Sequence, residues 1–245
     1  MLPMLRVSLR ITGLILLFVV CLPPHLLSKW LLRRSRWPRR FLGAAAWIVG
    51  ARLQVVGEPI RQHTLLICNH VSWLDILILG GATGCAFVSK DSLGHSLVHW
   101  LADQNETLYI HRGRRSATAD QASAIAGALE RPQPLALFPE GTTGPGDHLL
   151  PFRSSLLAAV APAPPRARVR PVAIDYGSAA REVGWYEESG KDNVLRVLGR
   201  KGTLPIIVHV LPPLERSEAR KLLAHQARER IAATLAASSS ARTGL

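Results

Sequence analysis

The stretch Leu65 to Asp75 reads LLICNHVSWLD, and its two halves differ sharply in character. Leu65, Leu66, Ile67 and Cys68 make an unbroken apolar run with the length and composition of a short buried strand, and the run stops at Asn69-His70. The polar pair therefore sits at a strand mouth. His70 and Asp75 are five positions apart, which on one continuous helix would separate them by about 140°. They meet only if His70 precedes a helix and Asp75 lies in its first turn, so the expected order is strand, turn, helix. In that arrangement the carboxylate fixes the imidazole tautomer and stabilises the imidazolium, which suits His70 to take a proton from an attacking hydroxyl. Ser72-Trp73-Leu74-Asp75 also fits a capping box, with Ser72 as N-cap and Asp75 at the third helical position. These eleven residues alone leave both uses open.

Outward from this stretch, apolar runs and helical patterns alternate. Strands are expected at Leu65–Cys68, Cys85–Ser89, Thr107–Ile110, Leu135–Phe138, Val169–Tyr176 and Ile206–Leu211, with helices around Leu74–Leu79, Ser116–Leu129, Ser154–Val160 and Glu215–Ala236. That order implies an α/β fold, a mostly parallel sheet flanked by helices. The expected organisation is a membrane-anchoring segment over residues 1–55, a main domain over 56–213, and a C-terminal helix with a frayed Ser-rich tail over 214–245.

The chain has 245 residues and a formal charge of +13, and the placement of that charge matters more than its size. Residues 1–57 carry nine basic groups and no acidic one, whereas the remainder has 21 basic against 17 acidic. The excess lies beside apolar segments, Ile11–Leu27 and Phe41–Val56, which does not fit a nucleic-acid reader; no nucleic-acid partner is expected. It fits attachment to an anionic membrane, with Arg33, Arg34, Arg36, Arg39 and Arg40 on the cytoplasmic face of the inner or plasma membrane. Pro23-Pro24 interrupts the first segment, and no small-x-small cleavage site follows it. Cys21, Cys68 and Cys85 are widely spaced and odd in number, giving neither a disulfide framework nor a zinc pattern.

Two further strand ends carry polar turns. Leu135-Ala-Leu-Phe138 runs into Pro139-Glu140-Gly141-Thr142-Thr143-Gly144, where glycines would let backbone N–H groups approach a polar ligand and Glu140 could accept from hydroxyls. Leu108-Tyr109-Ile110 runs into His111-Arg112, a guanidinium suited to a phosphate or carboxylate. His95 and His99 have helical metal-ligand spacing but no third ligand, and no metal is expected. No G-x-S-x-G elbow exists, so a serine-hydrolase reading lacks its nucleophile.

His70-x4-Asp75, Tyr109-Ile110-His111-Arg112, Phe138-Pro139-Glu140-Gly141-Thr142 and Val169-Arg170-Pro171-Val172, in this order, closely resemble the four motifs of the glycerolipid acyltransferase family typified by bacterial 1-acyl-sn-glycerol-3-phosphate acyltransferase. The resemblance implies acyl transfer from acyl-CoA or an acidic acyl-carrier protein to the free hydroxyl of a lysophospholipid, with no cofactor. It implies His70 as general base, Asp75 as its orienting partner, and Arg112, Glu140, Gly141 and Thr142 as headgroup ligands, with Lys90 as a further phosphate contact. Pro171 and Val172 are implied to shape the acyl side. The expected acceptor is lysophosphatidate, with another lysolipid such as lyso-ornithine lipid as the alternative. A non-enzymatic basic membrane-surface protein would leave His70, Asp75 and Glu140 without purpose. One departure stands out: the family often carries a basic residue soon after the Glu-Gly-Thr turn, whereas this chain has none before Arg153.

Overall fold

The computed structural model describes residues 2–90, 96–110 and 117–243, without the side chains of residues 90, 117–121 and 243. The described chain begins with helices α1 (Leu2–Leu32) and α2 (Trp37–Val49) and strands β1 (Ala51–Gly57) and β2 (Thr64–Cys68). Then come α3 (Leu74–Thr83), β3 (Ala86–Lys90), α4 (Ser96–Gln104), β4 (Leu108–Ile110), α5 (Ala117–Leu129) and β5 (Leu135–Leu137). After a 3-10 helix at Ser154–Val160 follow β6 (Arg168–Asp175), α6 (Ala180–Val183), α7 (Gly190–Gly199), β7 (Leu204–Val210) and α8 (Arg220–Thr243).

The strands form one sheet in the order β1-β7-β6-β2-β5-β3-β4. The β6–β7 pair is antiparallel and every other pair is parallel, as expected for a mostly parallel sheet between helices. The central β2 is buried at all five positions because helices cover both faces, which is why its sequence shows a continuous apolar run rather than alternation. Its neighbours β5 and β6 run parallel to it, Ile67 facing Leu137 on one side and Pro171 on the other. Three adjacent strands therefore end at the same edge of the sheet, where ligand sites of open α/β sheets lie.

Three expectations change. The apolar run Phe41–Val56 is not one segment: Gly50 (φ 110°) ends α2 in the left-handed conformation, and the chain continues as β1, the edge strand beside β7. The sheet thus begins before residue 56, and α8 belongs to the core through buried Leu223, Ala224, Ala227 and Ile231. Pro23 and Pro24 lie inside α1 without ending it. Buried Cys21 and His25 anchor the helix on both sides of the prolines, and packing outweighs the lost ladder bonds.

At 31 residues α1 is about 46 Å long, and it is long and apolar enough to cross a membrane. It lies along the body, however. Near its start, Arg10 donates to the carbonyls of Val197, Leu198, Arg200 and Gly202 at the end of α7, and Arg6 donates to that of Gly199. Near its end, His25 bonds Ser35 and Gln104. The outer face, with Leu5, Leu9, Leu16, Val20, Leu27 and Trp30, is exposed. Some N-terminal cations also make contacts within the protein while staying exposed: Arg39 donates to the carbonyls of Gly81 and Ala82 at the end of α3, and the Arg40 and Arg52 guanidiniums sit over Trp37 and Trp47. The Arg39 guanidinium matches the unpaired carbonyls and negative dipole of the α3 C-terminus, a contact that charge counting does not reveal.

Candidate active site

The turn between β2 and α3 is bonded at each step. Asn69, 1 % exposed, exchanges two hydrogen bonds with the backbone of Ile174 in β6, its Oδ1 accepting from Ile174 N at 2.8 Å and its Nδ2 donating to Ile174 O at 3.0 Å. The His70 N–H donates to Glu140 Oε1 at 2.7 Å, and the His70 carbonyl accepts from Gly144 N at 2.8 Å. The Val71 carbonyl accepts from Trp185 N. These partners come from the turn after β5, from β6 and from the segment after α6, so the loop's conformation is set by three elements remote in sequence. Buried backbone groups demand such partners.

His70 is where the sequence places it. Its Nδ1 lies 2.7 Å from Asp75 Oδ2, and Asp75 is wholly buried. The same oxygen accepts from the N–H groups of Val71 (2.7 Å) and Ser72 (2.9 Å), so Asp75 fulfils half of the capping box while also holding the imidazole. The other half fails: Trp73 is the N-cap, and Ser72 Oγ is buried without a partner among the described residues. The His70 ring stacks on Phe138 at 4.0 Å between centroids and 15° between planes. With Nδ1 taken, Nε2 is the nitrogen left for chemistry.

His70 lines a cavity of about 1150 Å³. Phe18 of α1 and Trp37 and Phe41 of α2 form one wall, Trp73 and Leu77 another, and Trp100, Val194 and Leu195 of α4 and α7 close it. The lining is overwhelmingly apolar. Lys191 is the one Lys or Arg among its described residues, and no Asp or Glu lines it. The start of α7 is fastened to the turn, since Trp73 Nε1 donates to Asn193 Oδ1 at 3.0 Å. Among the described residues no group of three or more His, Cys, Asp or Glu side chains could hold a metal ion.

The other expected site residues fare differently. Glu140 is 3 % exposed, and its two oxygens accept from the backbone N–H groups of His70 and Leu150. It is thereby a clamp between two loops rather than an open acceptor for hydroxyls. Burial pushes its carboxyl up to about 7, against the pull of those two N–H groups. Gly141 adopts φ 76°, a left-handed conformation that favours glycine. Thr142 is exposed, and Thr143 rather than Thr142 lines the cavity. Arg112 lies outside the described residues, as does the side chain of Lys90. Pro171 and Val172 lie within β6 and do not line the cavity. His99 stacks on Tyr109 and pairs with Asp103, and His95 lies outside the described residues.

Sequence reading missed Tyr176. Its hydroxyl donates to Asp75 Oδ1 at 2.5 Å across 101 positions. The available signal was its place just past the end of β6, the same strand-end logic that singled out His70 and Glu140.

The Glu140 carboxyl has a consequence for stability. A folded value near 7 against an ordinary 4.5 means that the folded state binds a proton that the unfolded state has released. This group's contribution to stability therefore falls as pH rises from about 4.5 to 7, and is flat on either side. Glu140→Gln, which cannot titrate, should show a smaller difference in Tm between pH 5 and pH 8 than the wild type, measured in detergent. An equal or larger difference would refute the assignment.

A protein-family model described as acyltransferase matches residues 52–175. A protein of Rhizobium meliloti (strain 1021) named lyso-ornithine lipid O-acyltransferase is 36% identical over 180 residues, 70% of this chain and 62% of that relative. A 1-acyl-sn-glycerol-3-phosphate acyltransferase of Neisseria gonorrhoeae is 33% identical over 140 residues, 56% of this chain and 51% of its own. The chain thus spans less than two thirds of the length of these relatives. Its fold is that of the crystal structure of the 1-acyl-sn-glycerophosphate (LPA) acyltransferase of Thermotoga maritima, with TM-score 0.68 and 17% identity over 95% of this chain and 96% of that one.

Proposed function

Since the chain belongs to the acyltransferase family, we propose that it transfers an acyl group from a thioester to the free hydroxyl of a lysolipid, with His70 as general base. The observation that carries this reading is the His70–Asp75 pair, 2.7 Å apart, set in the wall of a large apolar cavity. His70 Nε2 takes the proton of the acceptor hydroxyl as its oxygen attacks the thioester carbonyl. Asp75 holds the imidazole and stabilises the charge it acquires, and the thiolate then leaves. A thioester is already activated, so a positioned base and proximity suffice without a covalent acyl-enzyme. The apolar cavity takes the acyl chain against Phe41, Trp73 and Leu195. The donor is acyl-CoA or an acyl-carrier protein.

Bonds near both ends of α1, from Arg10 to α7 and from His25 to Gln104 of α4, tie it to the globular body, so a helix crossing the bilayer would carry that body with it. We read α1 as lying in one leaflet of the cytoplasmic face, its outer face of Leu9, Leu16 and Val20 in acyl chains. In that position the wall made by Phe18, Trp37 and Phe41 adjoins the lipid, and the acceptor reaches His70 without passing through water.

Lyso-ornithine lipid is the acceptor this reading favours. The similarity to the Rhizobium meliloti relative runs over 70% of the chain against 56% for the Neisseria gonorrhoeae one, and no Lys or Arg lies between Thr142 and Arg153. Lysophosphatidate is the second reading, favoured by the four-motif pattern, with Arg112 and Lys90 as its phosphate ligands. Purified protein in micelles, offered either lysolipid with either thioester donor, decides between them. The expected result is acylation of lyso-ornithine lipid in preference to lysophosphatidate; the reverse preference would replace the acceptor, and transfer to neither would remove the function. In the second case, Arg112→Ala should lower kcat/KM with lysophosphatidate by about ten- to hundredfold through loss of a charge-assisted contact, and much less with a phosphate-free acceptor.

A further inference from the structure

Asp75 is bonded unequally on its two oxygens. Oδ2 accepts from His70 Nδ1, Val71 N and Ser72 N, whereas Oδ1 accepts from the Tyr176 hydroxyl at 2.5 Å. Tyr176 is 2 % exposed and follows Asp175, the last residue of β6. Asp175 is itself held by Arg242 and Ser238 of α8 and by the N–H of Gly177. The phenol is thus delivered to Asp75 by a strand end locked against the C-terminal helix.

We propose that Tyr176 is a positioning residue for the reaction, setting through Asp75 how much carboxylate charge reaches the His70 imidazole. The inference rests on the general-base reading above. A hydrogen bond to Oδ1 draws negative charge toward that oxygen and away from the imidazole. The three donors on Oδ2 hold the carboxylate in place without Tyr176, so its loss acts on charge more than on geometry. With that bond gone, the imidazolium is better stabilised by Asp75, and His70 becomes the neutral base only at higher pH. Burial first, then the charge and hydrogen bond of Asp75, raise the Tyr176 hydroxyl well above its ordinary value, so it stays a donor across the working range. Among the described residues, the other ionisable groups around this cluster are Glu140 on the His70 N–H, Cys68 at the end of β2, the Asp175–Arg242 pair with His209 4.0 Å from Asp175, and Arg228, Arg181, Asp147 and His148, which line a second cavity together with His70 and Tyr176.

The test is the pH dependence of kcat/KM for the acceptor in micelles, whose ascending limb reports the base of the free enzyme. Wild type is compared with Tyr176→Phe, with 3-fluorotyrosine at position 176, and with His70→Ala. Tyr176→Phe should move the limb to higher pH by roughly half a unit to one unit, with KM for both substrates within about twofold of wild type. The fluorinated phenol, a stronger donor of nearly the same shape, should move it to lower pH. A Tyr176→Phe protein with lowered Tm and an unmoved limb would show a merely structural residue and overturn the proposal. Should that variant fail to fold, the fluorotyrosine arm decides alone, and a limb that stays or rises overturns it. Turnover retained by His70→Ala would defeat the general-base reading itself, whereas an inactive His70→Ala with unmoved limbs at position 176 would defeat only this inference.

Discussion

His70→Ala is expected to lower kcat by about 10² to 10⁴-fold, the full contribution of a positioned general base, in a protein that still folds. The ring makes no hydrogen bond with another side chain among the described residues except that to Asp75, and its loss leaves the Val71 and Ser72 N–H groups on that carboxylate. Asp75→Asn should lose nearly as much with Tm almost unchanged. One amide oxygen can take the donors that Oδ2 now takes. The amide N–H group can then face Tyr176, whose hydroxyl can reverse from donor to acceptor. What disappears is the charge that stabilises the imidazolium. Initial rates at saturating acceptor, with Tm measured on the same samples, check both variants; normal turnover in either removes the catalytic assignment.

The second large effect is expected far from the chemistry, where α2 crosses α3. A Cβ added at Gly81 would lie 2.5 Å from Gly43 Cα and 2.7 Å from Gly43 N, backbone atoms that cannot step aside without moving a helix. Gly81→Ala should therefore destabilise by about 3 kcal/mol, a fall of roughly 6–12 °C in Tm for a chain of this size. Transfer should fall with it, because the displaced α2 carries Trp37, Phe41 and Leu42 of the cavity wall. The effect should be one-sided. A Cβ at Gly43 would meet Gly81 Cα at 3.5 Å and Gly81 C at 4.0 Å, both ordinary contacts, so Gly43→Ala should be tolerated. Gly127→Ala in α5, where nothing lies within 4 Å, should raise stability by about 0.5–1 kcal/mol through helix propensity. Equal Tm for Gly81→Ala and Gly43→Ala would refute the close approach.

Six strands were legible because each is an apolar run between turn signals, and the mostly parallel sheet followed from their alternation with helices. β1 escaped because Ala51 to Gly57 continues the apolar composition of α2, and only the backbone conformation of Gly50 separates them. α7 escaped because Gly190-Lys-Asp-Asn opens it with a polar turn that reads as loop. The structure shows its start capped by Ser189 on Asp192 and pinned through Asn193 to Trp73. The 3-10 winding of Ser154–Val160 lies equally beyond periodicity, since a few apolar residues in a row fit either helix.

By itself the sequence determined what is local: a strand end, a histidine, and a carboxylate five residues on that reaches the imidazole once a helix begins between them. Spacing decides such a pair because backbone geometry over so few residues leaves little choice. Tertiary structure alone decided what the pair is bonded to and what it faces. Glu140 could be read as a ligand for hydroxyls until His70 N and Leu150 N were found on its two oxygens. The strand end could point to Tyr176 but not to its partner, which lies 101 residues earlier and meets it only when β6 pairs with β2. The arginines beside the apolar segments looked like lipid contacts, yet Arg10 and Arg39 close the ends of α7 and α3. Hydrogen bonds and cavities depend on which elements the sheet order makes neighbours, and that order is a property of the packed whole.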